Sequence, residues 1–443
     1  MSIMPPKVTT RSHFTLVLLA LVYVFSFIDR NVIAIVIEPI KQEFGASDTL
    51  MGLLTGLAFA VLYGVLGIPL GRMVDRGADR RKMISICCGL WSMATMACGL
   101  ATSFWQLLIA RMTVAIGEAG GMAPSVSMVA DLYPKARRSM AMGIFMLGPQ
   151  MGMLIAMVVG GYIAQTYGWR TTFIAFGIPG ILIAATLFFF TRDPGRGVFD
   201  SEEERRQAAL ARDIKVGPQI KSIFAVRAFV LLCMGVALTG VVGYGFGIWA
   251  PTFLLRTYEM SLAQAGLLFG ISSGLFAVLG TLFCGWLCDR LIVRDTRWQI
   301  ALPMLGILIS LPMGIAFLLW PKTSTFDIAG YDIPFAMLFC AGFAFFQSWW
   351  PTLTFAAVSH LLTSSQRAMG AAFVNMFMTL VGAGLGPFLS GTLSDFYTRS
   401  MGPDGLRWAL ATVLGLLLIT VLLYAMAIKP YQRRLVELDA NLN

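Results

Sequence analysis

The sequence holds 443 residues, of which 57% are hydrophobic and only 13% charged, whereas a soluble domain carries roughly 25% charged residues. That deficit excludes an ordinary soluble globular protein. The net charge of +10 would suit a nucleic-acid binder only if the cations clustered as a patch, so their placement decides what it means.

Apolar runs of about 20 residues, each able to cross a hydrocarbon core of about 30 Å, recur from Phe14 to Ile428. In chain order they predict spans near 14–37, 50–71, 83–101, 104–128, 140–164 and 170–190, then near 226–252, 262–288, 298–320, 334–359, 368–394 and 406–428. The expected fold class is an all-α membrane protein with twelve transmembrane helices in two six-helix bundles. The first apolar stretch is not a cleavable signal peptide: it is too long, contains Asp29 and Arg30, and lacks a small-residue cleavage site.

With an even number of spans both ends fall on one side. The loops of that side hold 25 of the 33 Lys and Arg, the opposite loops hold 6, and 2 remain within the membrane. By the positive-inside rule both termini are expected in the cytoplasm, and the basic balance is a topology signal, with no nucleic-acid partner. The seven cysteines sit in or beside spans, and Cys284 and Cys288 share a helix face without a nearby His or third thiol. They are expected as packing residues, with no metal site.

The longest polar interruption, Thr191 to Arg227, carries Asp-Pro-Gly-Arg-Gly at 193–197 and a charged stretch, Ser201–Arg212, expected as a short surface helix. It divides the chain into an N-terminal bundle (1–190), a cytoplasmic linker (191–225) and a C-terminal bundle with a short tail (226–443). The halves repeat. Gly52-Leu-Leu-Thr-Gly56 and Gly71-Arg-Met-Val-Asp75-Arg76 return as Gly266-Leu-Leu-Phe-Gly270 and Gly285-Trp-Leu-Cys-Asp289-Arg290, all displaced by 214 positions. Ala141-Met142-Gly143 returns as Ala368-Met369-Gly370. Parallel six-helix repeats are a transporter architecture. Glycines four apart (Gly52/Gly56, Gly117/Gly121, Gly148/Gly152, Gly266/Gly270/Gly274, Gly382/Gly386) predict close helix approach.

Four firmly charged side chains remain inside the membrane: Asp29 and Arg30 on the first span, Arg111 and Glu118 on the fourth. Each costs roughly 2.5–3.5 kcal/mol at the midplane, so they are expected to pair and face the interior. At a rise of 1.5 Å per residue, Asp29 and Arg111 lie about 12 Å and about 10 Å from the outer ends of their spans, and Glu118 about 21 Å. The spacing leaves a satisfied structural cluster possible, but it favours a proton or substrate role. Glu118 is the expected proton-coupling acid, with Asp29 mainly holding Arg111 or Arg30 in place. Gly117-Glu118-Ala119-Gly120-Gly121 surrounds that acid with minimal side chains, leaving room for a ligand or a moving helix unless the glycines merely seat a tight contact.

Two patterns mislead. Gly270-Ile-Ser272-Ser-Gly274 imitates a hydrolase elbow but lies on a membrane helix, and only His13 and His360 exist to serve a serine. No phosphate-binding G-x-x-x-x-G-K-[ST] loop occurs, which argues against an ATP-driven pump. No cofactor is expected; an ion gradient, most simply of protons, supplies the energy.

The loop Gly71-x-x-x-Asp75-Arg76 with Arg80-Arg81-Lys82, repeated more weakly at Gly285, Asp289 and Arg290, resembles the loop signature of the major facilitator superfamily, though lengthened by Gly77-Ala78-Asp79. The glycine would admit a neighbouring helix and the acid would face a helix N-terminus, so these six residues are expected to latch the cytoplasmic ends of the bundles. Within that superfamily, Phe27-Ile28-Asp29-Arg30-Asn31 and Arg111-Met-Thr-Val-Ala-Ile-Gly117-Glu118-Ala119, continuing to Ala123-Pro124-Ser125 and Ala130-Asp131-Leu132-Tyr133, resemble the spinster family in a bacterial-type form. The resemblance implies alternating access, lysolipid or sphingolipid-type substrates with proton dependence, and Asp29, Arg30, Arg111 and Glu118 as the polar centre of the cavity. The eleventh span departs from animal members, having Gly382-Ala-Gly384-Leu-Gly386-Pro387 without their acidic residue. In the C-terminal half Asn375, Tyr244, Trp249 and Gln347 are the candidate substrate contacts, with Trp349 and Trp350 beside them.

The function expected is therefore secondary active, proton-coupled transport of an amphipathic organic solute or lysolipid by a monomer in a bacterial inner membrane, among membrane lipids. The rivals are a sugar-acid proton symporter, a drug efflux transporter and, outside transport, a membrane lipid enzyme or a receptor. No activated nucleophile and no sizeable soluble domain support the last two.

Overall fold

The computed structural model describes residues 8–201, 216–328, 331–363 and 366–440, and the chain divides into two compact units. The first unit contains α1 (Thr10–Phe44), α3 (Ala58–Asp75), α4 (Arg80–Leu100), α5 (Phe104–Ala119), α6 (Met122–Leu132), α7 (Lys135–Met146), α8 (Gly148–Tyr167) and α9 (Trp169–Phe190). Local chemistry sets the ends. Thr9 and Ser12 form a capping box before α1, which stops at Gly45 in the left-handed conformation (φ 61°), where glycine is favoured. Asp79 caps α4 and Ser103 caps α5.

The second unit contains α2 (Asp48–Gly52), α10 (Val216–Phe224), α11 (Arg227–Tyr258), α12 (Leu262–Gly270), α13 (Phe276–Ile292), α14 (Trp298–Leu319), α15 (Ala336–Gln347), α16 (Trp350–Leu361), α17 (Arg367–Phe377), α18 (Gly384–Met401), α19 (Gly405–Leu414) and α20 (Leu416–Ala440). A hairpin of β1 (Thr325–Ile328) and β2 (Tyr331–Pro334), unforeseen in the sequence, joins α14 to α15. The expected surface helix at Ser201–Arg212 lies, apart from Ser201, outside the described residues.

Among the described residues nine helical runs are long and apolar enough to cross a membrane. One of them, Met369–Leu438, makes two passes by turning at Gly402–Asp404. Two further passes, α5–α6 and α15–α16, are each interrupted, at Gly120–Gly121 and Ser348–Trp349, so neither half is long enough alone. Twelve passes result. Three π-helical segments, Leu53–Leu57, Ile271–Leu275 and Met378–Ala383, lie within passes. The first two sit in the second pass of each half, the passes that the sequence repeat relates.

The segment Ser47–Leu57, which the sequence placed with the N-terminal bundle, packs in the second unit. Two glycines allow this. A Cβ on Gly52 would stand 2.5 Å from the Pro387 carbonyl oxygen, and one on Gly56 2.5 Å from that of Gly384. Polar bonds hold the end of the segment. Arg256 donates both terminal nitrogens to Asp48 at 2.8 Å, Ser394 donates to Asp48 at 2.6 Å, and Asp395 accepts from the backbone of Asp48 and Thr49. Gly382 likewise meets the Gly240 backbone, where a Cβ would lie 2.8 Å from Cα.

Candidate functional site

The intramembrane charges come together in the first unit, though not in the pairing their spacing suggested. Glu118, buried near the end of α5, forms an ion pair with Arg30 of α1 and accepts a hydrogen bond from Ser26 Oγ at 2.9 Å through the same oxygen. Its other oxygen, Oε1, has no hydrogen-bond partner among the described residues. The pair is asymmetric in exposure: the Glu118 side chain is fully buried and that of Arg30 is 23% exposed.

Arg30 also sits against aromatic faces, with its guanidinium carbon 4.5 Å from the Tyr63 ring centre, 5.1 Å from Phe59 and 5.3 Å from Phe27. Each such contact supplies roughly 0.5–2 kcal/mol of cation–π attraction. Tyr63 and Phe59 come from α3 and had given no signal in the sequence, because an aromatic on an apolar helix resembles any other packing residue.

Asp29 makes no direct ion pair with Arg111 or Arg30 among the described residues, although the Arg111 charge acts on it from nearby. Arg111 instead donates to main-chain carbonyls, to Asp29 O at 2.7 Å and to Arg30 O at 3.4 Å. This anchors α5 to the backbone of α1. Asp29 is fully buried, and its polar neighbour is the Thr95 hydroxyl of α4. Trp91 Nε1, Ser92 Oγ and Arg111 Nε add further buried polar atoms nearby on α4 and α5. Such a concentration of buried polar atoms is unusual in a packed interior.

The glycines around Glu118 are filled, not open. A Cβ on Gly117 would stand 2.8 Å from the Trp91 backbone nitrogen, and one on Gly120 would collide with Cys87 Sγ. They seat α4 against α5, and the break at Gly120–Gly121 follows the acid directly. What space exists lies beside Glu118 in a small cavity lined by Tyr23, Ser26, Arg30, Trp91, Met122 and Phe145, with room for about one water.

The candidates of the second unit differ in their surroundings. Trp249 is fully buried and donates Nε1 to the Pro387 carbonyl at 2.9 Å, which makes it a core residue. Gln347, at the end of α15, accepts from Ser310 Oγ at 3.0 Å while its Nε2 is unpaired. Tyr244 and Asn375 are exposed, so the mid-span amide that was expected to need a partner has no side-chain partner among the described residues.

The loop motif also differs from expectation. A Cβ at Gly71 or Gly285 would meet nothing within 4 Å, so neither glycine seats a neighbouring helix here. Arg76 and Asp289 are exposed, and Arg290 lies over the Trp286 ring at 4.0 Å. The Asp75 side chain lies outside the described residues. The engaged residue is Arg80, expected only as one of a basic cluster. It is 1% exposed, pairs with Asp131 and Asp193, and donates to Ser127 Oγ at 2.9 Å and the Gly195 carbonyl at 2.8 Å. Burial pushes the Asp193 carboxyl up, but hydrogen bonds from Arg80 and from the backbone of Arg80 and Gly195 outweigh it and hold the group below its usual range. Asp131 also accepts from Gly197 N at 3.0 Å, so the linker's Asp-Pro-Gly-Arg-Gly stretch is bolted to α4 and α6.

Comparison with known proteins agrees with this architecture. Residues 19–357 match the Major Facilitator Superfamily. The chain is 31% identical to an MFS-type efflux pump of Mycolicibacterium smegmatis, over 95% of this chain and 93% of that protein. It is 23% identical to a probable L-galactonate transporter of Escherichia coli, over 86% and 82% of the two chains. Among solved structures it resembles a bacterial homolog of the human lysosomal transporter spinster, with a TM-score of 0.84 and 28% identity, covering 96% of this chain and 98% of that one.

Proposed function

The chain belongs to the Major Facilitator Superfamily and is a multi-pass membrane transporter, not an enzyme, and we propose that it couples a proton to an amphipathic organic solute bearing an anionic group. The observation that carries this reading is the buried Arg30–Glu118 pair. Removing one partner of a buried ion pair leaves an uncompensated charge that costs about 3–5 kcal/mol. Protonating Glu118 therefore creates, at Arg30, a strong demand for another anion. The aromatic faces of Tyr63, Phe59 and Phe27 keep the guanidinium in place meanwhile. A proton and a solute anion thus favour each other's binding, which is the linkage a coupled transporter needs.

Glu118 suits the coupling role better than Asp29 because its carboxylate is paired with a cation that can turn to another anion. Asp29 makes no ion pair among the described residues and faces the Thr95 hydroxyl instead. A solute biases the two access states only through differential affinity, and the Arg30 contact supplies it. The names of the relatives support an organic solute but divide on direction: a sugar-acid transporter suits symport of an anion, and an efflux pump suits exchange. Phosphate-bearing lysolipids and sphingolipid-like amphiphiles combine an anionic group with an apolar body. The bias of its basic loops supports a topology with both termini in the cytoplasm, and the protein is read as a monomer of a bacterial inner membrane.

Purified protein in vesicles, offered a panel of sugar acids, benzoate-like acids and lysolipids under an imposed pH gradient, tests this. Solute-dependent proton flux is expected for at least one anionic member. Flux supported only by neutral or cationic solutes contradicts it.

A further inference from the structure

We infer that the second unit carries a binding site for the phosphodiester headgroup of an anionic phospholipid, where α10, α11 and α20 meet. The site is a cavity of about 380 Å³ lined by Ser222, Arg227, Pro430, Arg433, Arg434 and Glu437. Three guanidiniums and one carboxylate leave an excess of two positive charges at its rim. Arg434 is partly engaged, donating to Glu437 at 3.1 Å and to the Leu361 carbonyl at 3.5 Å. Arg227 and Arg433 are exposed and make no ion pair among the described residues. A guanidinium fork matches two phosphate oxygens in a way an ammonium does not, and basic pockets between helix ends are suited to anionic headgroups.

Depth and surface chemistry select a lipid over a free ion. Arg227 begins the 32-residue membrane-crossing helix α11, so the cavity lies at the level where hydrocarbon meets water. From there the exposed face of α20 continues into the membrane. Ile419, Leu422, Met426, Pro430 and Arg433 recur at three- and four-residue spacings, which places them on one side of the helix. Ile419, Leu422 and Met426 are exposed large apolar residues. A phosphate on Arg227 and Arg433 would thus continue into acyl chains lying along that stripe. A zwitterionic head brings its own cation towards three guanidiniums, so an anionic head is preferred. The site shares no residue with the Arg30–Glu118 pair, and its existence does not depend on the transport reading.

Native mass spectrometry of the full chain tests this directly, with phosphatidylglycerol, phosphatidylcholine or inorganic phosphate added to the detergent-purified protein. Phosphatidylglycerol adducts should fall about tenfold or more in the Arg227→Gln/Arg433→Gln protein, phosphatidylcholine adducts should not change, and millimolar phosphate should not displace the lipid. Because both arginines are exposed, the double variant should keep the lipid-free melting temperature of the parent and lose only the rise that phosphatidylglycerol produces. Equal phosphatidylglycerol retention by parent and variant, an equal loss of phosphatidylcholine, or full displacement by phosphate overturns the assignment.

Discussion

Arg30 and Arg111 carry the same charge but are held in opposite ways, one by a side chain and the other by the main chain. Arg30 is bound to a carboxylate that a proton can neutralise, whereas Arg111 is bound to two carbonyls that never change charge. Arg111→Ala should therefore destabilise the protein by about 2–4 kcal/mol, since two buried carbonyls and the α1–α5 contact lose a charged donor. Asp29→Asn breaks no ion pair among the described residues and keeps an acceptor oxygen for Thr95, so it should change stability by less than about 1 kcal/mol. Thermal unfolding of both variants in one detergent checks this; equal losses would show that Asp29 does hold an arginine. That four charged residues mark the site was legible in the sequence, because charge at membrane depth is costly wherever it occurs. The pairing was not. It depends on how α1 is turned against α5 and on rotamers that no spacing rule contains, and so Arg111 was read as a carboxylate partner when it reaches past to the backbone.

Among the elements, the short α2 with its π-helical continuation shows what a repeat in sequence cannot tell. Helical period and apolar content placed the whole second pass in one bundle, yet Asp48 and Thr49 are tied to α11 and α18 by Arg256, Ser394 and Asp395. Those acids looked like ordinary loop residues because their partners lie some 200 and more positions away in sequence. Asp48→Asn should loosen this segment, at a cost of about 1–3 kcal/mol given the partial exposure of Arg256. Amide hydrogen exchange at Met51–Leu54 should then quicken about tenfold or more, and unchanged exchange would show that the glycine contacts hold the segment alone. The linker is anchored by the same kind of bond on the other side of the membrane. Because the folded-state Asp193 carboxyl is held below its unfolded range, the stabilisation is fully present above the unfolded value and disappears as pH falls through the folded one, below about 4. The melting temperatures of the parent and Asp193→Asn should differ at pH 7 and converge towards pH 3. A gap that persists at pH 3 would mean that the carboxylate charge is not what holds the linker.

For the molecule as a whole, length and composition were enough to give twelve passes, because each apolar run must cover the hydrocarbon thickness whatever its neighbours do. The interruptions at Gly120–Gly121 and Ser348–Trp349 were hidden, since a run of apolar residues reads the same whether its helix is continuous or broken. The orientation rests on the cation bias of the loops. A cysteine introduced at Gly217 in a cysteine-free protein should resist an impermeant thiol reagent in intact cells, and labelling from outside would reverse the topology. The transport reading rests on one exchange, in which a proton on Glu118 releases Arg30 to a solute anion. Glu118→Gln fixes the neutral state, so the variant in vesicles should still bind solute and exchange it across the membrane while losing accumulation driven by a pH gradient. Uptake of solute against its concentration gradient, with inside and outside pH set independently, measures this most directly. Exchange without gradient-driven accumulation is the predicted result, and full accumulation by a well-folded Glu118→Gln protein would contradict it.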